Sequence, residues 1–175
     1  MSEKIITITN LIREVLNEVG DLQNIQTLPY DSDKGTFTVP YGGKEYRGKV
    51  TFTFLNEKGL SVFELPPVVD LSKIKTGYNI GYSIEGVGSQ FIKGDTKLLF
   101  TILKTVSIIV AEFIKKHPDS LYLVFGESKT GIGMDDPQKL ALYQQILGKN
   151  LPQGFRIGKA SILKDIPGLF ICKIT

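Results

Sequence analysis

The sequence predicts an α/β protein of the α+β kind: a mixed, mostly antiparallel sheet with a strand–helix–strand unit at its centre. Three observations predict it. Between residues 36 and 65, short runs alternate apolar with polar residues and are separated by Gly-bearing turns, the signature of antiparallel hairpins. From Tyr78 to Phe125, a strand pattern, a long helical pattern and a wholly apolar strand pattern follow one another, and a crossover helix of that kind joins parallel strands. The helix between them is apolar nearly all round, which requires burial on several sides.

Ile5 to Ile8 reads as a short first strand. Leu11, Ile12, Val15, Leu16 and Val19 repeat at helical spacing, with Thr9 or Asn10 as cap and Gly20 as stop. Thr36 to Pro40 is extended. Tyr41-Gly42-Gly43-Lys44 then turns the chain, since Gly-Gly supplies the positive φ angles of a tight hairpin. Val50, Phe52 and Phe54 alternate with Thr51 and Thr53, so the next strand buries one face. Asn56 to Gly59 turns the chain and Leu60 to Leu65 returns it. Pro66-Pro67 ends that strand, because proline has no N–H for the ladder.

Tyr78, Ile80, Tyr82 and Ile84 alternate, which gives a strand from Tyr78 to Glu85, followed by Gly86-Val87-Gly88-Ser89. Asp95 or Thr96 caps the central helix, which ends at Lys116 before His117-Pro118-Asp119. Leu98, Ile102, Val106, Ile109 and Phe113 mark its main face, and Phe100, Ile108 and Ile114 make the opposite side apolar. Leu121 to Phe125 is the pattern of a central strand covered on both faces. Lys129 to Asp135 reads as a loop. Asp136 caps a further helix with Pro137 at its first position. Leu140, Tyr143, Ile146 and Leu147 form its inner face, and Gly148 ends it. Phe155 to Leu163 and Leu169 to Ile174 are the closing strands, joined around Pro167-Gly168. The central helix is expected on one face of the sheet and the Tyr143 helix on the other. Residues 1–175 show no repeat or linker and read as a single domain.

Hydrophobic residues make up 42% and charged residues 22%, an ordinary globular balance. A net charge of +3 argues against nucleic acid as the main partner, which calls for a concentrated basic face. The single Cys172 excludes an intrachain disulfide and a Cys-based zinc site, and no metal site is expected. Ile5 to Ile8 is too short for the core of a signal peptide. No apolar stretch reaches the roughly 18 residues of a membrane span, so a cytoplasmic location is expected, and packaging in a virion fits the same composition.

Several residues have chemistry to offer, each with a structural role beside it. Tyr143 is a phenol on the inner edge of a helix, where a core tyrosine is the commoner role. Gly86 and Gly88, with Ser89, present backbone N–H groups to a phosphate or form a plain turn. Glu64 and Glu85 flank the sheet as proton acceptors or as solvated strand residues. His117 follows the last turn of a helix, where an imidazole caps carbonyls. Cys172 alternates with Phe170 and Ile174, as a small buried residue does.

This order of elements resembles the GNAT N-acyltransferase superfamily, which has a helix, an antiparallel meander, strand–helix–strand–helix and a closing hairpin. Asp136-Pro137-Gln138-Lys139-Leu140-Ala141-Leu142-Tyr143 is similar to that family's helix, which starts with Asn and carries Leu-Tyr about two turns later. The resemblance implies that Tyr143 stands near the sulfur of coenzyme A as a general acid. It implies that Gly86, Gly88 and Ser89 hold the pyrophosphate, and that Glu85 or Glu64 accepts the proton of an acceptor amine. The chain departs from the family at the phosphate loop. There the glycines stand directly ahead of the central helix, whereas here Ser89 to Gly94 intervene and the helix opens on Asp95. A carboxylate at that site competes with pyrophosphate for the same N–H groups. The family's Gly-Phe after the Tyr helix is Gly148-Lys149 here.

His117 to Phe125 and Lys139 to Leu147, with the apolar helix before them, are also similar to a domain found in tailed-phage proteins. This second resemblance implies a phage-type accessory or virion-associated protein that uses a GNAT-like core to bind a protein of the virion or host, with no cofactor. One alternative is an acyl-coenzyme A-dependent N-acyltransferase using acetyl-coenzyme A. The other is a nucleic-acid-binding module on the hairpin of Lys44, Arg47 and Lys49, with Tyr41 and Tyr46 for stacking.

Overall fold

A computed structural model of the chain describes residues 24–74, 76–86, 95–125, 127–128, 131–132, 137–162 and 166–174. The expected N-terminal strand and helix, Gly88, Ser89 and the Asp136 cap lie outside these residues. The strands are β1 (Tyr30–Asp31), β2 (Thr36–Tyr41), β3 (Lys44–Leu55), β4 (Phe63–Glu64), β5 (Thr76–Ile84), β6 (Ser120–Val124), β7 (Glu127–Ser128), β8 (Gly131–Ile132), β9 (Phe155–Ile162) and β10 (Ile166–Lys173). The helices are α1 (Glu57–Leu60), α2 (Thr96–Lys116) and α3 (Pro137–Asn150). Among the described residues no helix is long and apolar enough to cross a membrane.

An 8-stranded sheet in the order β1-β2-β3-β5-β6-β10-β9-β4 carries the fold. β2, β3 and β5 form an antiparallel meander, and Gly42 and Gly43, at φ 58° and 75°, make the tight turn that Gly-Gly announces. α2 bridges β5 to β6, and these two strands pair in parallel over Thr76–Ile80 and Ser120–Val124. β10 runs antiparallel between β6 and β9. β6 lies mid-sheet and is buried at every position, as its unbroken apolar run requires.

α2 and α3 pack on the same face of the sheet. Ile102, Val106, Ile109, Val110 and Ile114 of α2 share one core with Leu140 and Leu147 of α3 and with sheet residues such as Ile80, Tyr122 and Ile171. The expectation of opposite faces fails for a physical reason. The apolar residues of α3 spread over a wide arc, and Leu142 and Ile146 turn to Phe100 and Leu103 on the outer side of α2, where Ile25 completes a second layer. That layer also explains why α2 is apolar nearly all round. The other face of the sheet is covered by Leu60 of α1 and Val69 of the following segment, which cap Leu121, Leu123, Phe125, Phe170 and Cys172.

Besides Gly131–Ile132, which pairs as a strand with Glu127–Ser128 inside the stretch expected as a loop, three boundaries differ from the sequence reading. Leu60 to Leu65 does not return beside β3. Asn56 caps α1 by accepting the Gly59 N–H at 2.9 Å, Leu60 is buried, and only Phe63–Glu64 is strand, paired with β9 at the far edge. α3 runs past Gly148 to Asn150, whose amide donates to Ser107 Oγ at 2.9 Å and to the Ile146 carbonyl at 3.0 Å. Pro167 and Gly168 lie inside β10, ahead of Leu169, where β6 joins, so the missing proline N–H is not needed by a second neighbour.

Two strand glycines give close approach to aromatic rings. Phe37 pairs across from Gly48, and Phe170 across from Gly158. A Cβ on either glycine would stand 2.2 Å and 2.6 Å from the facing ring, so the ring occupies the place of the absent side chain.

Candidate functional site

The site follows from unequal strand lengths. β5 pairs with β6 only as far as Ile80 opposite Val124, and then continues through Ile84 with β3 as its partner. The two parallel strands therefore part at their carboxyl ends, where parallel strands hold ligands in open α/β sheets. The next residue of β5 on the helix-bearing face is Tyr82. Its hydroxyl lies 3.0 Å from that of Tyr143 on α3, with the rings 6.4 Å apart and inclined at 72°. Leu142 is buried beside Tyr143 and anchors α3 against α2.

The environment of the pair is apolar. Burial holds the Tyr82 phenol well above its usual pKa, and the Tyr143 oxygen beside it adds to the effect. Burial also raises the Tyr143 pKa, partly offset by the hydrogen bond with Tyr82. Both phenols are thus kept neutral, and a single hydrogen bond joins them. Since the folded state holds these protons more tightly than the unfolded chain, the pair stabilises fully below a pH of about 10 and less as the pH rises beyond it.

Removing one hydroxyl leaves the other unpaired in an apolar setting. Tyr82→Phe or Tyr143→Phe is expected to cost about 1–3 kcal/mol, and the double substitution well under the sum of the two. Urea denaturation of the four proteins measures this, and strict additivity would show that the hydroxyls do not interact.

At the opening of α2, Asp95 rather than Thr96 is the N-cap. Its carboxylate accepts the Leu98 N–H at 2.9 Å and its carbonyl accepts the Leu99 N–H at 3.1 Å. The end of the helix that would favour an anion already carries one.

The remaining candidates are dispersed. Glu85 follows β5, donates its backbone N–H to the Arg47 carbonyl at 2.8 Å and has an exposed side chain on the pleat opposite Tyr82. Gly86 has φ 77°, consistent with a turn. Glu64 is exposed on β4, the far edge strand. The strands β6, β10 and β9 separate it from β5, a distance of about 19 Å at the usual strand spacing, so the fold does not bring it together with Tyr143 and Glu85. His117 is the C-cap of α2, with Nδ1 3.1 Å from the Phe113 carbonyl and its ring stacked on Phe113. Cys172 is buried, and that burial raises its thiol pKa against the opposing influence of Arg156. Lys44, Arg47 and Lys49 are exposed on the β2–β3 hairpin.

Sequence reasoning singled out Tyr143 without its partner. The signal for Tyr82 was faint: it alternates with Ile80 and Ile84 as a buried strand residue, and only the end of β6 makes its position special. Comparison with known proteins finds no match among family models, curated proteins or solved structures.

Proposed function

We propose that this chain is a binding protein built on a GNAT-like core, of the phage-type accessory or virion-associated kind, with a protein as its partner and without acyl transfer. The GNAT-like part is supported by the order of elements: a meander, a parallel pair bridged by a buried helix, a Tyr-bearing helix and a closing hairpin whose last strand lies beside the second parallel strand. The phage-type role and the protein partner rest on the resemblance of His117 to Phe125 and Lys139 to Leu147, and the observation that bears on acyl transfer is the Tyr82–Tyr143 contact at 3.0 Å. A tyrosine serving as general acid needs its hydroxyl directed at the leaving group and a pKa near the working pH. The Tyr143 oxygen is engaged by the Tyr82 hydroxyl at 3.0 Å, and burial shifts its pKa away from that range. The Asp95 cap works in the same direction, because a pyrophosphate would have to displace a carboxylate from the same helix end.

Acetyl-coenzyme A tests the reading. A ligand present at 100 times its Kd stabilises the native state by about 2.7 kcal/mol, a rise of several degrees in Tm for a chain of this size. The expected result with millimolar acetyl-coenzyme A is no change in Tm. A saturable rise would overturn the binding-protein reading in favour of an acyltransferase. The accessory reading further expects the chain to co-sediment with phage particles, and its absence from them would remove the virion arm.

A further inference from the structure

We propose that the groove where β1 ends beside the β2–β3 hairpin is a binding site for a small zwitterion of dipeptide length. The groove encloses about 560 Å³ and shares no residue with the tyrosine pair, so the inference stands apart from the proposed function. A volume of that size lies within the roughly 300–1,000 Å³ of small-molecule sites.

Its wall is a sheet edge stripped of donors. The Thr38 N–H donates outward to the Pro29 carbonyl at 3.0 Å. In an antiparallel pair the facing residue would return an N–H to the Thr38 carbonyl. Pro29 has none to return, so that carbonyl remains an acceptor toward the groove. The wall thus offers the Thr38 carbonyl as an acceptor, suited to a ligand with a free N–H.

The charges around it are sorted in the same way. Lys34 and Asp31 neutralise each other at 3.2 Å. Glu45 and Arg47 are exposed on the same face of β3, opposite Pro40 and Thr38, and among the described residues neither forms an ion pair. Two residues of strand separate them by about 7 Å. An extended dipeptide places its ammonium and carboxylate at a similar separation, because two residues of chain span at most about 7 Å. A single amino acid, with one carbon between its charges, is too short to engage both. In the arrangement this predicts, the ligand ammonium meets Glu45, its carboxylate meets Arg47, and its one amide N–H meets the Thr38 carbonyl.

The test uses the whole protein and alanyl-alanine, with its N-acetyl and C-terminal amide forms, followed by two-dimensional NMR of the backbone amides. The expected result is saturable shifts confined to residues 29–38 and 45–47, with affinity at least about tenfold weaker for each blocked form. Glu45→Gln should abolish the discrimination against the acetylated form, and Arg47→Gln that against the amide. Both positions are exposed, so the variants keep the fold, which the unchanged remainder of the spectrum verifies. No shift in the groove at about 50 mM alanyl-alanine, or discrimination that survives either substitution, overturns the proposal.

Discussion

Phe170→Ala is expected to destabilise the protein by about 3–5 kcal/mol, the usual cost of removing a fully buried ring. Phe170 is 1% exposed, in the strand between β6 and β9. It packs with Leu121, Leu123 and Cys172 on the face that lacks the long helices, where α1 and the segment through Val69 are the cover. Its ring also fills the space over Gly158. Loss of the ring leaves a cavity that the thin cover cannot collapse into fully. Chemical denaturation measures the effect, and the same cavity gives a second readout. Gly158→Ala overpacks the wild type by about 1–3 kcal/mol, because the new methyl meets the ring, and costs less once Phe170 is alanine. A loss below about 1 kcal/mol for Phe170→Ala would mean that this face is not a core.

Ile109→Ala is the counterpart on the other face, with an expected loss of about 2–5 kcal/mol. Ile109 is 0% exposed and belongs to the stripe of α2 that joins the core shared by α3 and the sheet. It tests the claim that α2 is the crossover packed directly on the parallel pair. Lys115→Ala on the exposed end of the same helix is the control, expected within about 0.5 kcal/mol of wild type. Similar small effects at both positions would leave α2 peripheral to the fold.

Much of this fold is legible in the residues because the patterns there have a single physical solution. The all-apolar run at Leu121 to Phe125 fits a strand covered twice, and of the two caps the sequence offers, Asp95 and Thr96, Asp95 takes the position. Gly42-Gly43 specifies its turn through backbone conformation alone. What stayed hidden depends on tertiary partners. The residues of α3 are apolar over so wide an arc that periodicity could not say which face it covers, and contact with the outer side of α2 decides it. Leu60 to Leu65 has strand composition, but Asn56 and the burial of Leu60 make its first residue the end of a helix and leave only Phe63–Glu64 as strand. The candidate site was half legible: Tyr143 stands out by its helix, whereas its meaning depends on where β6 stops and leaves Tyr82 exposed to it. In the sequence Arg47 stands out only with Lys44 and Lys49 as part of a basic hairpin and Glu45 not at all, and the missing donor at Pro29 gives the edge beside them a preference.

The tyrosine pair is the physical statement on which the functional reading rests: Tyr143 is locked, neutral, against Tyr82 where the parallel strands part. Tyrosines labelled with carbon-13 at the ring carbon bearing oxygen report ionisation one residue at a time, with Tyr82→Phe and Tyr143→Phe providing the assignments. Both resonances are predicted to titrate above the ordinary tyrosine value of about 10. A Tyr143 that titrates at or below that value would be an open, solvated phenol with its hydroxyl free, and would contradict the account.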